Sequence, residues 1–164
     1  DAAGCDTVTS ERGRAKQMMA GVAKSRAPWL LFLHPEAELA PGWIGEARTF
    51  ARRGPLRAAA VSFALDDDTL AARGYEWIVR QRGRFLKQPL GVQGLLISRA
   101  FYDALGGYHA GAAMEDFDLA RRIRRHRLAL LESRALVDAE AFRREGYLKR
   151  AARETWALVF GGRA

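Results

Sequence analysis

Trp29-Leu30-Leu31-Phe32-Leu33-His34-Pro35-Glu36-Ala37-Glu38 is the stretch whose reading decides the fold. Five apolar residues run without a break and then give way abruptly to polar ones. A run this short and continuous predicts a strand buried on both faces, as in a parallel sheet. On its N-terminal side, Ala15, Met18, Met19 and Val22 fall at helical spacing, which predicts a helix from about Glu11 to Lys24 with Ser10 as its N-cap. On its C-terminal side, Pro41-Gly42 precede a predicted helix from Trp43 to Arg53. Ala58 to Leu65 reads as a second strand that stops at Asp66-Asp67-Asp68. A helix from about Asp68 to Arg84 follows, with Leu70, Tyr75, Trp77, Ile78 and Phe85 as candidate core residues. Leu95 to Ile97 is a third strand, and Ser98 to Leu105 a helix turned off by Gly106-Gly107. Glu115 to Arg125 reads as a helix with Phe117, Leu119, Ala120 and Ile123 near one face. Leu128 to Leu131 and Ala135 to Val137 are short strands, and Tyr147 to Phe160 is an amphipathic helix. Alternating strands and helices predict an α/β protein whose mixed, mostly parallel sheet is flanked by helices.

The composition sets outer bounds. The 164 residues suit a single domain, residues 1–164, with the last helix, about 145–160, as a peripheral element. Hydrophobic residues at 49% and charged residues at 28% are ordinary for a folded chain and exclude a disordered tail. The single Cys5 forms no internal disulfide, which points to a reduced, cytoplasmic setting. The longest nearly apolar run, Ala27 to Leu33, is far too short to span a bilayer. A net charge of +8 raises the question of nucleic acid. The cations are 23 Arg and 4 Lys beside 30 Ala, an Arg- and Ala-heavy habit, and there is no recognition motif and little aromatic–basic interleaving. Nucleic acid is therefore not the expected partner.

Four constellations carry chemistry. Glu36 and Glu38 lie just past the first strand, where open α/β sheets bind ligands. Two carboxylates at i and i+2 are oxygen ligands suited to Mg²⁺ or Mn²⁺, or else solvated loop acids. Glu115 and Asp116 open a helix after the glycines Gly106, Gly107 and Gly111. A carboxylate there is a general-base candidate, although the helix dipole alone also favours first-turn acids. One of Asp66-Asp67-Asp68 reads most simply as an N-cap and the others as solvated turn residues, with a second metal site as the lesser alternative. Arginines gather at Arg12 and Arg14, at Arg121 to Arg127 and at Arg143 to Arg153, as solvated faces or as contacts for phosphate or anionic lipid. The three histidines, His34, His109 and His126, have no metal-ligand spacing. Neither a nucleophile triad nor a Walker-type loop is present.

Taken in order, six motifs resemble a family 2 glycosyltransferase of the GT-A fold, in a small bacterial branch. They are Arg12-Gly13-Arg14-Ala15-Lys16-Gln17-Met18, Trp29 to His34, Pro41-Gly42-Trp43, Gly91-Val92-Gln93-Gly94-Leu95-Leu96, Phe101 to Tyr108, and Met114 to Leu119 with Arg121 and Arg122. The resemblance covers nearly the whole chain. It implies a GT-A-like, Rossmann-like fold and transfer of a sugar, with inversion, from a nucleotide-diphosphate donor to an acceptor hydroxyl on a saccharide or a lipid-linked group. It implies Mg²⁺ or Mn²⁺ as cofactor, held by Glu36 with help from Glu38. Asp116 takes the role of general base beside Glu115. Gln93 and Gly94 lie near the sugar or acceptor, and Arg12 and Arg14 near the nucleotide phosphates or base.

The chain also departs from the family pattern. Pro35-Glu36 stands where an Asp is usual, Met19 where Asn is usual, and Val92 where Asp is frequent. Family members begin with strands that precede anything seen here, and residue 1 is Asp rather than Met, so the expectation is a domain truncated at its N-terminus, with an unpaired sheet edge. These departures carry a second reading, a non-catalytic relative that binds a sugar, a lipid or a protein. Trp156, Leu158, Val159 and Phe160 beside Arg150 and Arg153 add the expectation of a peripheral membrane contact.

Overall fold

The computed structural model describes residues 4–86, 93–110 and 115–160. Gly91, Val92, Gly111 and Met114 lie outside the described residues, as do the side chains of Phe85, Phe117, Leu158, Val159 and Phe160. In chain order the elements are α1 (Arg14–Lys24), β1 (Trp29–Phe32), β2 (Ala37–Leu39), α2 (Trp43–Ala51), β3 (Ala58–Leu65), α3 (Leu70–Leu86), β4 (Leu95–Ser98), α4 (Arg99–Ala104), α5 (Glu115–Arg122), β5 (Leu128–Val137), α6 (Glu140–Glu145) and α7 (Tyr147–Phe160).

The chain is α/β, but its sheet is mixed and not mostly parallel. The strand order is β1-β4-β3-β5-β2. β4 runs antiparallel to both β1 and β3, β2 runs antiparallel to β5, and β3 with β5 is the parallel pair among the described strands. β1 is therefore an edge strand, not an interior one. Leu30 is buried while Trp29, Leu31 and Phe32 are only partly covered. Apolar continuity reported a strand correctly but not its place in the sheet, because an edge strand covered by helices carries the same pattern.

Two further differences have local causes. Glu36-Ala37-Glu38, read as a polar loop, leads into β2, with Ala37 inward and Glu38 outward. The two strands predicted over residues 128–137 are one strand, β5, broken in register. Ala60 faces Leu130, but Ser62 faces Arg134. The bulge is satisfied by Glu46 of α2, whose carboxylate accepts the backbone N–H groups of Glu132 at 2.7 Å and Ser133 at 2.8 Å. β1 and β2 sit on opposite edges, about 19 Å apart in a flat five-stranded sheet. Residues 33–36 reach less than about 18 Å. The sheet is accordingly curled, and the bulge gives β5 its bend.

Strand alternation sends side chains to two cores. Ala59, Val61, Phe63 and Leu65 of β3 meet Phe50 of α2, Tyr75 and Val79 of α3, Phe142 of α6 and Ala151 of α7. On the other face, Leu30, Ala58, Leu95 and Ile97 meet Ala15 of α1, Phe101 and Tyr102 of α4, Leu119 of α5 and Ile123 just after it. Met18 and Val22 of α1 pack on this second core, whereas Met19 is exposed. α1 begins at Arg14 because Gly13 takes φ 130°, outside the helical region. Leu70 and Trp77, expected in the core, face outward.

The turn after β3 differs from its sequence reading: Thr69, whose Oγ1 accepts the Ala72 N–H at 3.3 Å, caps α3 in place of an aspartate, and Asp67 is buried rather than solvated. Asp66 accepts the Ala139 N–H at 2.7 Å, and Asp68 pairs with Arg73 at 2.5 Å. Asp67 is buried and accepts bonds from Tyr147 Oη at 2.6 Å, the Thr69 N–H at 2.8 Å and Arg143 Nε at 2.9 Å. The Tyr147 hydroxyl first, then the Thr69 amide and Arg143, hold its carboxyl far below the usual 3.8. A depressed carboxylate stabilises the fold fully above its unfolded value and loses that contribution as the pH falls through its folded value. Asp67→Asn should thus melt below wild type at neutral pH, with the gap narrowing as the pH drops below 3.8. Melting curves with a constant gap would contradict this role.

Candidate active site

Asp116 stands in the first turn of α5, where the exposed N–H groups and the dipole favour a carboxylate. α1 brings Arg14 to it, with Nη1 2.6 Å from Oδ2. Tyr108 Oη donates to Oδ1 at 2.9 Å. Burial raises the Asp116 carboxyl above its usual 3.8; the Arg14 charge and the Tyr108 bond partly offset this, and the adjacent Glu115 adds to the rise. The Tyr108 hydroxyl is pushed well above its usual 10.0, first by burial and then by the Asp116 charge, so it remains a donor.

The side chains packed around the Asp116 partner Tyr108 are aromatic. Tyr108 meets Phe32, the last residue of β1, edge-on at 4.9 Å between ring centroids, and Phe32 meets Tyr102 at 5.5 Å. The Tyr108 N–H donates to Tyr102 Oη at 3.0 Å. Two glycines make the turn that allows this. Gly106 and Gly107 take φ 80° and 65°, and a Cβ on Gly107 would lie 2.9 Å from the Tyr102 ring. Arg122 ties the turn to α5. Its guanidinium donates to the Leu105 carbonyl, to Gly107 O at 2.6 Å and to Asp118 Oδ2 at 2.7 Å. Arg122 is thus committed to the protein's own backbone.

The structure brings Arg14 to Asp116, with Glu115 next in the chain, a pairing that the sequence did not indicate. Arg12 is exposed, two residues before α1. Glu36 lies in the turn after β1. It is 70% exposed, with His34 Nδ1 at 3.8 Å from Oε2. Glu38 is exposed on β2. Gln93 is buried, and its Nε2 donates to Val61 O at 3.1 Å. Gly94 takes φ 73°, and a Cβ there would meet Leu33 Cδ1 at 3.1 Å and Phe32 O at 3.3 Å. Gly94 therefore packs closely against the carboxyl end of β1, while Gln93 is tied to β3. Two site residues escaped assignment from sequence. Tyr108 follows the glycine pair directly, and His34 occupies the strand exit. His34 is close enough for its charge to act on Asp116.

The donor chemistry of Glu36 and Glu38 can be set against a divalent cation. Among the described residues no group of three or more His, Cys, Asp or Glu side chains is placed to hold a metal ion. Mg²⁺ beside a diphosphate needs only one or two protein carboxylates, because phosphate oxygens and waters fill the rest. An exposed Glu36 carboxylate at the strand exit fits that lesser demand. No protein-family model, curated protein or solved structure matches the chain.

Proposed function

We propose that the chain is a GT-A-like, inverting glycosyltransferase domain that uses a nucleotide-diphosphate sugar, with Asp116 as general base. The observation that carries this reading is the setting of Asp116: a carboxylate raised by burial, held by Arg14 and Tyr108, beside the carboxyl end of β1. The ordered motifs add the substrate class. In the transfer, the acceptor oxygen attacks the anomeric carbon as the bond from that carbon to the diphosphate breaks. The nucleoside diphosphate leaves with the electron pair, and the acceptor proton passes to Asp116. A base whose pKa is raised by burial takes that proton more readily.

Arg14 stands between two anions in this scheme. It neutralises Asp116 at rest and turns to the diphosphate when donor binds, since a guanidinium suits phosphate oxygens in bidentate fashion. Glu36, with Glu38 beside it, would hold Mg²⁺ or Mn²⁺. When bound, that ion supplies positive charge to the leaving diphosphate. Tyr108 keeps the carboxylate oriented, Gly94 packs against the exit of β1, and Gln93 is anchored on β3. The acceptor is a hydroxyl on a saccharide or lipid-linked group.

Arg14→Gln tests the scheme. The Arg14 charge lowers the Asp116 pKa, so its loss should move the acid limb of the pH–rate profile to higher pH. Weaker donor binding should accompany that shift. An acid limb that does not move would separate Arg14 from the base. A second reading, a non-catalytic relative that binds a sugar, lipid or protein, is favoured by the engagement of both Asp116 oxygens. It predicts that the intact chain takes up no nucleotide-sugar, with or without Mn²⁺.

A further inference from the structure

On α3 and α7 the glutamates, with Arg82 and Arg150, face inward, and the other described cations face outward. α3 carries four arginines and one glutamate, and α7 carries two arginines, a lysine and one glutamate. Both glutamates face inward. Glu76 accepts the Leu65 N–H at 2.7 Å, and Glu154 accepts Tyr75 Oη at 2.7 Å and pairs with Arg82 and Arg150. Arg73, Arg80, Lys149 and Arg153 are exposed. Among the described residues, Arg80 and Lys149 enter no ion pair. Arg73 is tied to the exposed Asp68 at 2.5 Å, and Arg153 pairs with Glu145.

The same outer surface is apolar between those charges. Leu70 is 92% exposed, Leu148 81% and Trp77 60%. Leu70 and Trp77 are seven residues apart on α3 and so share a side. With Ile78, Tyr147 and Leu148 they line one groove of about 340 Å³. Large apolar side chains left this exposed together mark an interaction surface.

We propose that this outer face of α3 and α7 docks on an anionic lipid bilayer, with Leu70, Trp77 and Leu148 entering the interface and Arg80 and Lys149 meeting headgroup phosphates. Protruding leucines and a tryptophan ringed by lysine and arginine are the composition of an interfacial helix. The charge fits an anionic leaflet. It opposes a second copy of the chain, because a two-fold pairing would set the same cations against one another. Among the described residues no helix is long and apolar enough to cross a membrane, and the proposed contact is with the surface. It does not depend on the glycosyltransferase reading.

Co-sedimentation of the 164-residue chain with vesicles tests it. Vesicles of mixed phosphatidylglycerol and phosphatidylcholine should pellet the chain, and pure phosphatidylcholine should pellet little. Binding should weaken with added salt. Leu70→Ser with Leu148→Ser should lower partitioning about tenfold or more, since each leucine loses its share of burial in the interface. Both side chains are so exposed that the fold should survive, which circular dichroism checks. Arg80→Gln with Lys149→Gln should weaken binding to the anionic vesicles alone. Absence of pelleting, equal pelleting by wild type and the double serine variant, or a dimer in sedimentation that Leu148→Ser dissolves would each overturn the proposal.

Discussion

Asp116→Asn should reduce sugar transfer by about a hundredfold to ten-thousandfold, the usual worth of a positioned general base. The amide keeps the shape of the carboxylate and still accepts the Tyr108 hydroxyl, so the local packing should hold. What it loses is the ability to take the acceptor proton. Donor binding, measured calorimetrically, should stay within a few-fold of wild type. The melting temperature should also change little. Removing a buried carboxylate relieves its desolvation, while losing the pair with the half-buried Arg14 acts in the opposite direction. Glu115→Gln provides the contrast. Its charge acts on Asp116 from the side, and its loss should leave most of the rate. Turnover by Asp116→Asn within threefold of wild type would remove Asp116 from the chemistry.

Gly107→Ala should be the most damaging single-methyl change near the site. The residue sits at φ 65°, and the new Cβ would lie 2.9 Å from three atoms of the Tyr102 side chain. That ring is buried between Phe32 and Tyr108 and has nowhere to go. Left-handed backbone costs an ordinary residue about 1–2 kcal/mol. Forcing atoms into a packed wall costs about 1–3 kcal/mol more. A fall of roughly 5–15 °C in melting temperature follows for a chain of this size. Because Tyr102 accepts the Tyr108 N–H, and Tyr108 in turn donates to Asp116, the damage should reach the rate as well. Gly106→Ala isolates the steric part. At φ 80° it carries the same backbone penalty, but its nearest neighbours lie at 3.7 and 3.9 Å, ordinary contact distances. Equal melting temperatures for the two variants would show that the Tyr102 contact yields easily.

Some of this was legible in the sequence for clear reasons. β3 matched its predicted span, Ala58–Leu65, because it is an interior strand covered on both faces. α7 matched Tyr147–Phe160 because its apolar positions repeat at helical spacing over several turns. β2 and α6 stayed hidden because each offers one inward residue, Ala37 and Phe142, among charged neighbours. The core assignment failed at Leu70 and Trp77, which have the composition of a buried face and the placement of an exposed one. At the site, first-turn acids made Asp116 visible as a candidate. Its partners were not visible as partners. Arg14 is about a hundred residues away in sequence, and only the stacking of α1 and α5 on one face of the sheet brings them together. The parallel character of the sheet was misread because hydrophobicity records burial, not strand direction.

The most direct test of the central claim is a calorimetric titration of the chain with a panel of nucleoside-diphosphate sugars, with and without Mn²⁺. At least one of them should bind in the presence of Mn²⁺ and lose affinity when the metal is chelated or Arg14 is replaced by Gln. A folded chain that takes up none of the panel in either condition would contradict a nucleotide-sugar site.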